Sequence, residues 1–169
     1  AAGEKYLIPP LSKAAVAEQG GANGFMLSPA INGIEIIEDL HSFGLPIIAH
    51  NAFWYSAHTA NHGISFSIFA FFQRLCGADI VITPAPYGTF DVMSRNEHSD
   101  NISVLLKDIP QIEKSFPAFC GGQSPSTVPL LRKDVGSDDF IMVVGTSLYD
   151  HPDGPTAGAK SLRESFKKT

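Results

Sequence analysis

The stretch from Leu45 to Thr89, LPIIAHNAFWYSAHTANHGISFSIFAFFQRLCGADIVITPAPYGT, limits what this chain can fold into more than any other part of it. Pro46 to Ala49 is too short for a helix and too apolar for a surface loop, so it reads as a strand buried on both faces. An aromatic-rich helical segment follows, then a second apolar strand that runs into a Pro/Gly loop. Strand, helix, strand with no polar alternation calls for an α/β fold with a closed or doubly covered parallel sheet, because a sandwich would alternate.

The flanks continue the pattern. Tyr6 to Ile8 reads as a strand stopped by Pro9 and Pro10, and Ser12 to Gln19 as a helix capped by Ser12 and ended by Gly20 and Gly21. Gly24 to Leu27 is the next strand, and Gly33 to Phe43 a helix that Gly44 closes. Past the centre, Ile102, Leu105, Leu106, Ile109 and Ile112 fall at helical spacing over Asn101 to Ser115, where Pro110 must kink or split the helix. Phe116 to Cys120 is a strand, Ser124 to Arg132 a helix capped by Ser124 or Ser126, Phe140 to Val144 the last strand, and Pro155 to Lys168 the final helix. These are six strand candidates in one domain of 169 residues.

A net charge of −5 leaves no basic patch, which argues against nucleic acid and anionic membrane as partners. Cys76 and Cys120 are too few for a disulfide framework. No segment reaches transmembrane length and the start carries no signal-peptide pattern, so the cytoplasm is the expected location.

Several strands end in small or polar residues: Ser28 and Pro29, His50 and Asn51, Thr83 to Tyr87, Cys120 to Gly122, and Gly145 to Ser147. A βα-loop active site needs such clustering at one end of a parallel sheet. His50, closing the central strand, is the candidate catalytic residue. Gly121-Gly122 and Gly145-Thr146-Ser147 precede helices and read as phosphate cradles, since glycine admits close backbone approach and a helix N-terminus adds positive charge.

Other features have plainer readings. His58 and His62 stand at a spacing that could bind zinc on a helix, but Asn61 and Gly63 mark a loop-to-helix junction that favours capping or solvation. Phe66, Phe69, Phe71 and Phe72 are core packing, and Trp54 and Tyr55 either wall a pocket or pack against the next loop. Asp150 and Asp153 flank His151, yet HPDGP reads better as a turn with Pro155 starting a helix. Cys76 reads as inert, whereas Cys120, beside a glycine turn, has some access to reactivity.

NHGISF at Asn61 to Phe66, RLCGAD at Arg74 to Asp79, CGG at Cys120 to Gly122 and HPDGPTAGA at His151 to Ala159 resemble, in order and spacing, the C-terminal barrel domain of the RuBisCO large-chain family. The resemblance covers most of the chain from Gly24 onward, and Tyr6 and Leu7 resemble the start of that family's third barrel strand. It implies a (β/α)8 TIM-barrel type, present here as a partial barrel of about six β/α units. On that reading residues 1–169 are the C-terminal part of the barrel, and the N-terminal domain and first two barrel strands are not in this sequence.

What the resemblance implies is carried over by position. His50 falls on a strand-end histidine that borders the substrate and can take part in proton transfer. Gly121 and Gly122 fall on a turn that holds a sugar phosphate, with Cys120 replacing a serine. Gly145, Thr146 and Ser147 fall near a diglycine phosphate turn in which one glycine remains. Asn51, Tyr87, Thr89 and Cys120 complete the expected substrate pocket.

The departures bear on the reaction. Carboxylating members carry a lysine where Thr89 stands, and a neutral hydroxyl cannot supply its charge. Asn51 replaces an arginine, Trp54 stands about where a second histidine would be, and Ile82 replaces another. The chain therefore resembles a RuBisCO-like protein that enolises or isomerises a phosphorylated keto compound. A divergent ribulose-bisphosphate carboxylase and a non-catalytic sugar-phosphate-binding or assembly module are the alternatives. The family implies Mg2+, but its Lys-x-Asp-Glu site does not occur in this sequence, so no metal ligand is assigned and the piece alone is expected to be inactive. Open sheet edges imply a homodimer or higher homo-oligomer.

Overall fold

The structure, a computed structural model, describes residues 9–58, 63–90 and 92–167. Five short apolar segments form one parallel sheet: β1 (Phe25–Leu27), β2 (Ile47–Ala49), β3 (Ile80–Pro84), β4 (Phe116–Cys120) and β5 (Ile141–Met142). Their order across the sheet is their order in the chain. The sixth expected strand, Tyr6 to Ile8, lies outside the described residues, as do Asn61 and His62.

Register decides which side chains share a face. Met26 aligns with Ile48, Ile48 with Ile80 and Ile80 with Phe116, which places these four on one side of the pleat. On the other side Ile47, Ala49 and Val81 are buried with Ile37 and Leu40 from the helical layer. The first face is open: Met26 is 66% and Phe116 49% exposed, although both are large and apolar.

The helices fill the crossovers: α1 (Pro10–Gln19), α2 (Pro29–Asn32), α3 (Ile36–Leu40), α4 (Phe66–Leu75), α5 (Arg95–Leu106), α6 (Val128–Val135), α7 (Thr146–Tyr149) and α8 (Pro155–Ser165). None is long and apolar enough to cross a membrane.

Several boundaries differ from the sequence reading, each for a local reason. Pro10 sits in the first turn of α1, so the cap position is Pro9 and Ser12 lies inside the helix. The segment expected as one helix over Gly33 to Phe43 begins at Ile36 and tightens into a 3₁₀ turn at His41–Phe43, with Gly44 left-handed behind it. Pro110 does not kink α5. The helix starts earlier, with the Ser94 hydroxyl accepting from Glu97 N–H, and ends at Leu106. Ile109 and Ile112 instead bridge across a tight turn.

Buried Arg74 holds that turn, donating to the carbonyls of Val104, Ile112 and Glu113. The helix expected from Ser124 to Arg132 opens as a 3₁₀ turn at Pro125–Thr127 boxed by Ser124, then runs to Val135. The last strand is shorter than Phe140 to Val144, because only Ile141 and Met142 ladder with β4. The final helix ends at Ser165.

Candidate functional site

All five strands point the same way, so their C-terminal ends open on one edge of the sheet. The turn after β4 is the tightest element there. Gly121 and Gly122 both hold positive φ, 94° and 83°, a conformation that glycine adopts without a side-chain clash. Neither N–H donates to a backbone carbonyl among the described residues.

The loop after β3 lies on this turn. Phe90 N–H donates to the Gly121 carbonyl at 3.1 Å. A methyl group on Gly88 would meet Gly121 O at 2.0 Å, and one on Gly122 would meet Thr89 Oγ1 at 2.0 Å, so the two loops touch only because both positions lack a side chain. The start of α7 joins them through Ser147 Oγ, which donates to Gln123 O at 2.8 Å.

Between these parts is a cavity of about 430 Å³. Tyr87, Thr89, Gly122, Thr146 and Ser147 line it, which brings five residues expected from the sequence to one place. Gly121 and Gly145 complete the same two turns, and a side chain at Gly145 would have open space around it. Asp150 and His151 also line the cavity. The sequence reading had made them part of a turn. The turn exists, since Gly154 N–H donates to His151 O and Asp153 N–H to His151 Nδ1, but its first residues face the cavity.

His50 stands apart. It closes β2 and lines a different cavity, about 630 Å³, between β1, α1 and α3. Its Nδ1 accepts from Ala52 N–H at 2.9 Å, so the neutral ring carries its proton on Nε2. The next residue, buried Asn51, connects the two regions by pointing its amide at Cys120 Sγ, 4.0 Å away. Burial pushes the Cys120 thiol up, more than the Asn51 contact lowers it, and this keeps Cys120 an unreactive thiol near neutrality.

The two aromatic residues with open readings are packing groups. Trp54 stacks on Phe69 with centroids 3.6 Å apart, and Tyr55 meets Phe66 edge-on. Burial, followed by the nearby Cys120 and Glu97, pushes the Tyr55 phenol up to about 12. His58 lies 3.6 Å from Glu97, whose other oxygen accepts from Phe66 N–H at the start of α4. Its sequence partner His62 falls outside the described residues.

Among the described residues no group of three or more His, Cys, Asp or Glu is placed to hold a metal ion. The magnesium that the resemblance implies therefore has no matching ligand set among them.

Comparison with known proteins agrees with this architecture. The family model for the ribulose bisphosphate carboxylase large chain, catalytic domain, matches residues 13–168. A ribulose bisphosphate carboxylase-like protein of Chlorobaculum thiosulfatiphilum is 30% identical over 159 residues, which is 93% of this chain and 36% of the relative. A 2,3-diketo-5-methylthiopentyl-1-phosphate enolase of Geobacillus thermodenitrificans is 32% identical over 160 residues, 91% of this chain and 38% of the relative. The crystal structure of an octameric ribulose-1,5-bisphosphate carboxylase/oxygenase from Pyrococcus horikoshii superposes with a TM-score of 0.82 at 27% identity, covering 92% of this chain and 38% of that one. The five-stranded sheet is thus part of a TIM barrel of this type, and the chain spans a little over a third of the length of these relatives.

Proposed function

The chain belongs to the ribulose bisphosphate carboxylase large-chain family, and from that premise we propose that the whole protein is a RuBisCO-like enolase or isomerase acting on a phosphorylated keto compound. The observation that carries this reading is Thr89 against Gly122. Carboxylation needs a positive charge at that loop position to hold the developing carboxylate, and a hydroxyl seated on the glycine turn supplies none. The similarity to a 2,3-diketo-5-methylthiopentyl-1-phosphate enolase supports the same reaction class and suggests a phosphorylated diketone as the first substrate to try.

In this proposal the phosphate end sits in the cavity between the Gly121-Gly122 turn and Thr146-Ser147, where Gly122 N–H and the Thr146 hydroxyl belong to lining residues and are the donors proposed for it. The keto end extends toward Asn51 and His50. With Nδ1 accepting from Ala52 N–H, His50 offers Nε2–H as a hydrogen-bond donor to the substrate oxygen that gains charge as the enolate forms. Magnesium stays an implication of the family, and no step here runs through it. The substrate is a small molecule, the setting is cytoplasmic, and the octameric assembly of the Pyrococcus horikoshii relative supports a homo-oligomer.

The test is hydrogen exchange at carbon. Natural-length protein is incubated in D2O with 2,3-diketo-5-methylthiopentyl-1-phosphate and a panel of keto-pentose phosphates, alongside labelled bicarbonate. Deuterium uptake beside the carbonyl with no fixed label is expected. Fixed label would replace the proposal with a divergent carboxylase. Phosphate binding without exchange in any substrate would replace it with a binding or assembly module.

A further inference from the structure

The candidate cavity has a wall, Tyr87 to Thr89, that is fastened from outside the cavity. Tyr87 donates its hydroxyl to Asp134 Oδ2 on α6, a residue 47 positions later in the chain. The same carboxylate oxygen lies 3.4 Å from Nε2 of His98 on α5. The His98 side chain is 2% exposed and meets the Tyr87 ring edge-on, centroids 5.7 Å apart at 87°. The Arg95 guanidinium stands over the phenol ring, 5.1 Å from its centre. One tyrosine is thus held at its edge, its face and its hydroxyl by two different helices.

This matters because the next residues are Gly88 and Thr89. They rest on the Gly121-Gly122 turn through contacts that lack side-chain interlocking, and among the described residues Phe90 N–H to Gly121 O is the backbone hydrogen bond from these residues to that turn. Ala85 N–H donates to Cys120 O at the start of the loop, so Tyr87 to Thr89 hang between that bond and the Phe90 bond unless Tyr87 is itself anchored. We infer that Asp134 is a positioning residue for the cavity: by accepting the Tyr87 hydroxyl it holds the loop on the glycine turn in the shape that binds phosphate. The inference rests on the phosphate reading for its ligand but not for its geometry. Asp134 itself does not line the cavity.

The test uses natural-length protein and three variants, Tyr87→Phe, Asp134→Ala and Asp134→Asn. Tyr87→Phe keeps the ring packed on His98, so folding is not at stake, and the asparagine oxygen can still accept the phenol. Amide exchange of the peptide spanning 86–90 reports the loop, and titration with inorganic phosphate reports the cavity. Tyr87→Phe and Asp134→Ala are each expected to speed loop exchange and weaken phosphate binding about fivefold to tenfold, the scale of one hydrogen bond. The double variant should be no worse than either single one, and Asp134→Asn should stay nearer the parent than the alanine variant does.

Unchanged loop exchange in Asp134→Ala, or additive effects in the double variant, would overturn the inference. If the parent protein does not bind phosphate, the ligand reading fails, while loop exchange still decides whether Asp134 anchors the wall.

Discussion

Thr89 Oγ1 and the α-carbon of Gly122 are in contact across two loops, so that a β-carbon at Gly122 would fall 2.0 Å from the hydroxyl and 2.8 Å from Thr89 N. Gly122→Ala therefore has to displace the loop, and it also places a side chain at a φ of 83°. A stability loss of about 1–3 kcal/mol is expected in a urea melt, with weaker phosphate binding. An unchanged melting midpoint would mean that the two loops separate freely.

The same contact bears on carbon dioxide fixation. Thr89→Lys places a cation at one position but leaves Asn51, Trp54 and Ile82, the other positions at which the resemblance puts basic or imidazole groups in carboxylating members. The variant is expected to incorporate no labelled bicarbonate. Any fixation above the parent would show that the loop charge alone controls the reaction.

Arg74 is 1% exposed and spends its guanidinium on three backbone carbonyls after the middle of α5. Arg74→Leu leaves those carbonyls unpaired in the interior. We expect a loss of about 2–4 kcal/mol, the order for hydrogen bonds to a buried charge, and faster amide exchange in residues 107–115. A smaller loss would mean that water reaches the turn.

Burial lowers the His98 pKa below its ordinary value, against the opposing pull of Asp134. The folded state therefore binds this proton less readily than the unfolded chain. Its contribution to stability is full above the unfolded value, about 6.5, and is lost as pH falls below it. Urea midpoints should decline from neutral pH toward pH values near 5, and His98→Gln should flatten that decline. An equal slope in the variant would assign the pH dependence to other groups.

Gly158 in α8 sits against α7, where an added β-carbon would lie 2.7 Å from Leu148 O. Gly158→Ala improves helix propensity yet forces the helices apart, and the clash should dominate, costing about 1–3 kcal/mol. A stabilised variant would show that the α7–α8 contact yields.

What could be read in the sequence followed apolar pattern. Phe116–Cys120 was legible in full because an uninterrupted apolar run ends at two glycines. The first half of α5 was not, since Arg95 to Asp100 is polar while His98 and Asn101 are buried, inverting the usual code. Asn101 is inside because its amide donates to Thr83 Oγ1 at 2.8 Å, a contact no periodicity announces. The glycine turns announced themselves by composition. The Tyr87–Asp134 contact did not, although Tyr87 itself was expected in the pocket, because neither residue type nor local spacing marks a hydrogen bond between a loop and a helix one β/α unit later.

The sheet adds strands in the order in which they are synthesised, β1 through β5, with no strand inserted between two earlier ones. Each new strand on leaving the ribosome finds its partner already in place, one crossover behind it. Growth can then proceed one β/α unit at a time, and the loop closed at each step is only a single crossover long. The growing edge during synthesis is always the most recent strand, so the interval in which that edge is vulnerable to another chain is set by how fast the next thirty or so residues emerge, about 2–6 seconds at ordinary elongation rates.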